Sequence, residues 1–100
     1  MENELYTFKL LKKAKQDLRN IYDHIAFTLK NQKAAKDLNE KFDKAIQRLT
    51  YFPNSGEPYE KQFKRIFVDN YTVFYTVYDD KKLLIINRIL YARMNFKERI

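Results

Sequence analysis

Residues 63–96 read FKRIFVDNYTVFYTVYDDKKLLIINRILYARMNF, and this stretch decides the fold class. It contains three runs rich in β-branched and aromatic residues, at Lys64–Asp69, Thr72–Tyr78 and Leu83–Ala92. Only short polar gaps separate the runs, as is typical of strands joined by hairpin turns. We therefore expect three consecutive strands that form an antiparallel meander.

The residues before this stretch follow helical spacing. Residues 12–29 and 32–51 each carry an apolar stripe, and Asn31 is a plausible break between them. Tyr6–Leu10 alternates between apolar and polar residues, which predicts a short strand. The segment PNSGEP at residues 53–58 holds the one glycine and both prolines, so it divides the helical half from the strand half.

These elements predict one α+β domain that spans residues 1–100, with the order β-α-α-β-β-β. The helical hairpin is expected to pack on one face of an antiparallel sheet. The opposite face of the sheet then meets water or a partner.

Composition narrows the function classes. The chain has no cysteine, which excludes disulfides, thiolate metal sites and cysteine nucleophiles. It has no Gly-rich phosphate loop and no cluster of metal ligands, and His24 is expected to be a structural or surface histidine. We therefore expect no metal and no cofactor. No apolar run is long enough to cross a membrane, and no signal peptide is evident at the N-terminus, so we expect a cytoplasmic protein.

The charge distribution is uneven. The chain has a net charge of +7, and residues 61–100 contribute nine basic against four acidic residues. Such a positive field favours nucleic acid, a phosphate-rich surface or an acidic protein as the partner. The alternative is a basic surface without a specific partner.

Cations occur inside the apolar runs of the predicted sheet. Arg65, Arg88 and Arg93 interrupt strands that would otherwise serve only to build a core. If the strands that carry them adjoin, these three arginines and Lys64 gather near one edge of the sheet. Tyr91, beside Arg93 at the strand end, is expected to be exposed and to contribute to the same surface.

Arg88 has a second interpretation. A buried guanidinium needs a carboxylate partner, and the helices offer Asp17 or Asp43. Arg88 is then a structural ion pair, with no role in binding.

Three segments of the sheet region resemble one protein family. Residues 65–68 (RIFV), 70–75 (NYTVFY) and 85–96 (IINRILYARMNF) are similar to the C-terminal half of the RelE/ParE superfamily. The helical hairpin and the turn after it match as well, so the resemblance covers nearly the whole chain. These proteins are toxins of type II toxin–antitoxin systems. The resemblance implies growth inhibition, plasmid stabilisation and a cognate antitoxin whose partly disordered, acidic or amphipathic tail wraps the toxin.

The superfamily has two kinds of target. RelE-like members cut mRNA on the ribosome without a metal, and the resemblance then makes Arg65, Arg88 and Arg93 catalytic. ParE-like members inhibit DNA gyrase by protein contact. In either branch, the residues expected to bind the target or RNA are Lys64, Arg65, Arg88, Tyr91 and Arg93.

Two departures from the RelE-like pattern favour the ParE-like branch. Thr72 stands where many RelE-like toxins have an arginine, and no histidine lies near the C-terminus. A RelE-like ribosome-dependent endoribonuclease is the alternative. A non-toxic binding module on the same fold is a second alternative, because fold alone does not determine function.

Overall fold

The computed structural model describes residues 5–92. Helices and strands follow one another as β1 (Thr7–Leu10), α1 (Lys12–Asp23), α2 (Gln32–Tyr51), β2 (Glu57–Tyr59), β3 (Phe63–Val68), β4 (Tyr71–Tyr78) and β5 (Leu83–Tyr91). The strands form one sheet with the order β1-β5-β4-β3-β2. The predicted α+β fold is confirmed, and so is the meander of β3, β4 and β5.

The structure adds two features to the predicted sheet. β1 pairs with β5 in parallel, from Thr7 opposite Leu83 to Leu10 opposite Ile86, whereas all other pairs are antiparallel. The three-residue strand β2 was not predicted, because a proline within so short a run argues against a strand. Pro58 is tolerated here since β2 lies at the edge of the sheet, where a missing N–H breaks no ladder.

The helical hairpin changes its geometry near its tip. The first helix was predicted to reach residue 29, but its α-helical part ends at Asp23. Residues 24–28 form a π-helical turn, in which the Leu29 N–H donates to the His24 carbonyl at 2.9 Å. Asn31 caps α2, because its Oδ1 accepts the Ala34 N–H at 3.0 Å. The predicted break between the helices is therefore confirmed as a helix cap.

The main core lies between the hairpin and the sheet face that it covers. Its small member, Ala14 of α1, is fully buried, so its lack of bulk lets α1 approach the sheet closely. The other buried members come from α2, β3, β4 and β5: Leu38, Phe42, Ile46, Leu49, Val68, Val73, Tyr75, Leu84, Ile86 and Ile89.

The other sheet face, called the outer face below, carries a second apolar cluster. Phe74 and Leu90 are only 3% and 5% exposed, and Tyr59 and Phe63 pack against them. Thr72 is also buried, at 4% exposed. The expectation of an outer face open to water or a partner is thus wrong at the centre of the sheet, where aromatic side chains from β2 and β3 close over β4.

Within residues 5–92, neither helix has the length and apolar character needed to cross a membrane.

Candidate functional site

Arg88 is held by a carboxylate of the first helix. Its Nε donates to Asp17 Oδ2 at 2.8 Å and its Nη2 donates to Asp17 Oδ1 at 2.9 Å. The two side chains are only 14% and 12% exposed. The hydrogen bonds with Asp17 raise the pKa of Arg88, and its burial partly opposes that effect. The predicted ion pair with Asp17 is therefore present.

The course of β5 explains why Asp17 is placed here. β1 stops pairing at Ile86, and an irregularity opposite Phe74 and Tyr75 shifts the register of β5. Beyond that point, no strand of the described chain covers the β1 side of β5. Asp17 replaces the missing strand, because its Oδ2 also accepts the Ile89 N–H at 2.9 Å.

Arg65 lies in a different environment. Its Nε donates to Glu57 Oε1 of β2 at 3.0 Å. Its guanidinium carbon lies 4.9 Å from the centre of the Tyr59 ring and 5.3 Å from that of Phe67. The Arg65 side chain is still 34% exposed, so this arginine is oriented by its neighbours and remains open to a partner.

Sequence reasoning missed the neighbours that orient Arg65. The sequence placed Glu57 in the segment that divides the helical half from the strand half, but it lies in β2 directly opposite Arg65. The strand β2 has only three residues, Glu57–Tyr59, and so short a run shows no pattern that predicts a strand. The one available signal was that Glu57 and Tyr59 are two residues apart, which places both on the same face once a strand exists.

The expected gathering of cations at one sheet edge is wrong for the three members that the structure describes. Lys64 lies opposite Tyr75 and Arg65 lies opposite Phe74, so adjacent positions on β3 send them to different faces. The strand β4 separates β3 from Arg88, which binds α1. The fourth member, Arg93, lies outside the described residues.

Tyr91 is exposed, as the sequence suggests. Its side chain is 45% exposed, and its ring stands edge-on to the Tyr71 ring at a centroid distance of 5.7 Å. Burial raises the pKa of Tyr71, and the neighbouring Tyr91 adds to that effect. His24, which was expected to be a structural or surface histidine, is exposed at the start of the π-helical turn.

The turn after α2 is tied to the core by one tyrosine. The Tyr75 hydroxyl donates to the Pro53 carbonyl at 2.9 Å and accepts the Gly56 N–H at 3.0 Å. A Cβ at Gly56 would lie 2.5 Å from that hydroxyl and 2.8 Å from the Arg65 carbonyl, so only glycine fits without displacement. The turn thereby aligns β2 with β3 and places Glu57 beside Arg65.

Residues 5–92 contain no group of three or more histidine, aspartate or glutamate side chains able to hold a metal ion. On the outer face, Arg65 and the ring of Phe67 beside it are both partly open to solvent.

The family follows from the sequence match over the same elements. Residues 8–96 match the family described as the ParE toxin of type II toxin-antitoxin system, parDE. The chain belongs to this ParE toxin family. It is thus a toxin of the RelE/ParE superfamily, as the resemblance of its sheet region implied. No curated protein sequence matches the chain significantly.

Solved structures share the fold of this ParE-family chain. The chromosomal ParDE system from P. aeruginosa contains a chain with a TM-score of 0.77 and 22% identity, over 89% of this chain and 98% of that one. A chain of the RelBE2 complex from Mycobacterium tuberculosis has a TM-score of 0.63 and 17% identity, over 88% and 99%. A chain of the archaeal RelE-RelB complex from Pyrococcus horikoshii OT3 has a TM-score of 0.63 and 18% identity, over 92% and 100%.

Proposed function

We propose that this toxin inhibits DNA gyrase by protein contact and is neutralised by a cognate antitoxin. The observation that carries the proposal is the ion pair of Arg88 with Asp17. This ion pair gives Arg88 a structural role, whereas the ribonuclease hypothesis would place Arg88 at the scissile phosphate. The ParE family match points to the same branch.

A metal-independent ribonuclease needs a different arrangement. Cations must approach the scissile phosphate together, and a nearby group must accept the proton of the attacking 2′-hydroxyl. In the described part of the chain, Arg65, Lys64 and Arg88 point to three separate environments. These residues support contact with a partner better than cleavage of a phosphodiester.

The contact surface of the proposal centres on Arg65. It lies between two aromatic rings, and Phe67 beside it is 55% exposed. Arginine and aromatic residues are the types that most often dominate the energy of protein interfaces. Lys64 lies on the opposite face of β3 from Arg65, and Tyr91 lies beside Tyr71, which packs against the main core. These two residues and Arg93 are therefore retained in the proposed surface only as expectations from the sequence.

Two further elements complete the proposal. The positive net charge of the chain suits an antitoxin with an acidic tail, which can fold as it binds. Gyrase and the antitoxin are both cytoplasmic, so the proposal places the toxin in the cytoplasm as well. Growth inhibition and plasmid stabilisation are its expected consequences.

The test compares two targets with one protein preparation. Purified toxin should block supercoiling by gyrase and leave translation in a cell-free system unchanged, and added antitoxin should restore supercoiling. Normal supercoiling at saturating toxin would contradict the gyrase target.

The same experiment separates the alternatives. Cleavage of mRNA on programmed ribosomes, reduced by Arg65→Ala and by Arg88→Ala, would establish the ribonuclease. If expression causes no growth arrest and both targets are unaffected, the chain is a binding module without toxicity.

A further inference from the structure

The solvent side of the first helix is strongly cationic. Ala14, Leu18 and Ile21 turn the apolar side of α1 toward the sheet, so the opposite side faces water. The exposed positions of α1 hold four cations, two amides and one acid, and none of them is apolar: Lys12, Lys13, Lys15, Gln16, Arg19, Asn20 and Asp23. These seven positions are called the α1 face below.

The positive charge of the α1 face is not neutralised by the part of the chain that the structure describes. None of its four cations forms an ion pair within residues 5–92. Asp17 of the same helix points inward and binds Arg88. Asp23 lies at the far end of the helix, one turn beyond Arg19. The first two turns of α1 therefore present uncompensated positive charge to solvent.

The position of these charges is unfavourable for the helix itself. The first turn of α1 has no acidic residue, and Leu11 before it provides no side-chain cap. Lys12, Lys13 and Lys15 instead lie within the first four helical residues, at the end where the helix dipole is positive. Local stability therefore does not account for these three lysines. A partner that supplies negative charge does account for them.

The spacing of the α1 face suits a row of phosphates. Lys12, Lys15 and Arg19 recur at intervals of three and four residues, so they align along the helix over about 10 Å. Gln16 lies beside this row, and its Nε2 donates to Asn20 Oδ1 at 2.9 Å. Double-stranded DNA carries about one negative charge per 1.7 Å of its axis. Lysine, arginine and amide side chains are among the groups that proteins direct at its phosphate oxygens.

The α1 face fits an acidic protein less well than a nucleic acid. Protein interfaces take most of their energy from a few large side chains, often aromatic, in desolvated pockets. The α1 face exposes no aromatic or apolar side chain. A surface of cations and amides without an apolar centre is typical of contact with a phosphate backbone.

We propose that the α1 face binds the phosphate backbone of double-stranded DNA. The choice of DNA among nucleic acids rests on the proposed function, because gyrase holds DNA. Arg65 lies on the outer face of the sheet and α1 covers the other face. One toxin molecule can therefore contact gyrase on one side and the DNA held by gyrase on the other. Contacts to the backbone make this binding independent of sequence and sensitive to salt.

The experiment measures binding of the full toxin chain to a short labelled DNA duplex by fluorescence anisotropy, without gyrase. The wild type should bind duplexes of different sequence equally, and more weakly as the salt concentration rises. The triple variant Lys12→Gln/Lys15→Gln/Arg19→Gln should bind roughly tenfold or more weakly than the wild type. It should also reduce the slope of log affinity against log salt concentration by about two to three.

A matched triple variant on α2 separates the α1 face from net charge. Lys36→Gln/Lys44→Gln/Arg48→Gln also removes two lysines and one arginine from exposed helical positions. At physiological salt it should bind DNA within about threefold of the wild type, because charges outside the contact are screened. Equal losses in the two variants would show that net charge alone drives binding and would overturn the inference. Absence of DNA binding by the wild type at low salt overturns it as well.

Thermal denaturation shows whether the α1 variant keeps its fold. Its melting temperature should equal or exceed that of the wild type, because Lys12 and Lys15 oppose the helix dipole. Weaker DNA binding by this variant then reflects lost contacts. A clear fall in the melting temperature would give these cations a structural role and would overturn the inference.

Two further probes distinguish the possible partners. Tighter binding of the toxin to an RNA duplex of the same length than to DNA would overturn the assignment to DNA. If the α1 variant binds DNA as the wild type does but no longer binds gyrase free of DNA, the α1 face contacts an acidic protein, and the inference is wrong.

A supercoiling assay separates this inference from the proposed function. The α1 variant should inhibit gyrase less strongly than the wild type, whereas the α2 variant should inhibit as the wild type does. If the wild-type toxin fails to inhibit gyrase, the proposed function fails, and the anisotropy measurement without gyrase still decides whether the α1 face binds DNA.

Discussion

The carboxylate of Asp17 binds the guanidinium of Arg88 through two hydrogen bonds, of 2.8 and 2.9 Å, and holds α1 against the end of β5. The same carboxylate accepts the Ile89 N–H. One side chain therefore neutralises a mostly buried charge and accepts from a strand amide that no other strand of residues 5–92 reaches.

Replacing this carboxylate should be costly. Asp17→Ala leaves a mostly buried cation and a buried N–H without their acceptor, so we expect the free energy of unfolding to fall by about 3 kcal/mol. Adding Arg88→Met should restore part of the loss because it removes the unpaired charge. Urea denaturation of the wild type, the Asp17→Ala variant and the Asp17→Ala/Arg88→Met variant measures these free energies of unfolding.

Asp37 provides the control for this measurement. It pairs with Lys33 on the surface, where the side chains are 53% and 85% exposed, and Asp37→Ala should change the stability by less than roughly 0.5 kcal/mol. If Asp17→Ala were as mild as this control, the ion pair would not be a structural requirement.

The Tyr75 hydroxyl should stabilise the turn after α2. Tyr75→Phe removes a donor to Pro53 and an acceptor for Gly56, and we expect it to lower the free energy of unfolding by roughly 1–3 kcal/mol. Tyr51→Phe is the matched control, because Tyr51 is 64% exposed and makes no hydrogen bond of this kind within the described chain. Equal stability of the two variants would show that the turn does not depend on Tyr75.

Gly56 should resist substitution for a steric reason. Gly56→Ala places a methyl group against the Tyr75 hydroxyl and the Arg65 carbonyl, so we expect a loss of about 1–3 kcal/mol. Combining it with Tyr75→Phe should cost less than the sum of the two, since one of the clashing atoms is gone. Strictly additive losses in thermal denaturation would argue against this contact.

Stability should decline at alkaline pH through buried tyrosine. Burial raises the pKa of Tyr75, with the Gly56 N–H acting in the opposite direction, whereas an unfolded tyrosine ionises near pH 10. A pKa raised in the folded state means that this stability is complete below about pH 10 and is lost as the pH rises through the folded pKa.

The comparison of wild type with Tyr75→Phe isolates this effect. The stability gap between them should be constant from about pH 7 to pH 9 and should shrink above about pH 10. A gap that stays the same at high pH would mean that Tyr75 ionises equally easily in the folded and unfolded protein.

Substitutions of Arg65 and Arg88 should have different effects, the first on gyrase inhibition and the second on stability. Arg65 has a partly exposed pair with Glu57, so Arg65→Ala should change the stability by less than about 1 kcal/mol. It should nevertheless weaken gyrase inhibition by roughly tenfold, because a central arginine is removed from the proposed contact surface. Arg88→Ala should instead lower the stability of the fold more than Arg65→Ala does.

Inhibition of supercoiling as a function of toxin concentration measures this difference. Lys61→Ala, at an exposed position beyond β2, is the control and should inhibit as the wild type does. Unchanged inhibition by Arg65→Ala would remove Arg65 from the contact surface.

The helices and the meander could be predicted from the chain because their signals are local. The apolar stripe of Gln32–Tyr51 repeats with helical spacing, and the run of Thr72–Tyr78 consists of β-branched and aromatic residues that favour a strand. The strand β2 had no such signal, since three residues with a proline show no period. Its existence depends on the edge that β3 offers and on the turn that Tyr75 and Gly56 align.

The sequence by itself determined the α+β fold, the excess of positive charge and the superfamily, because these follow from local periodicity, composition and residue order. It also singled out Arg65 and Arg88 and named Asp17, with Asp43, as a candidate partner for Arg88. Only the tertiary structure decided what Lys64, Arg65 and Arg88 contact. Residues adjacent on β3 point to opposite faces, β1 stops short of Arg88, and β2 brings Glu57 to Arg65. These are relations between segments distant in the chain, which no local pattern encodes.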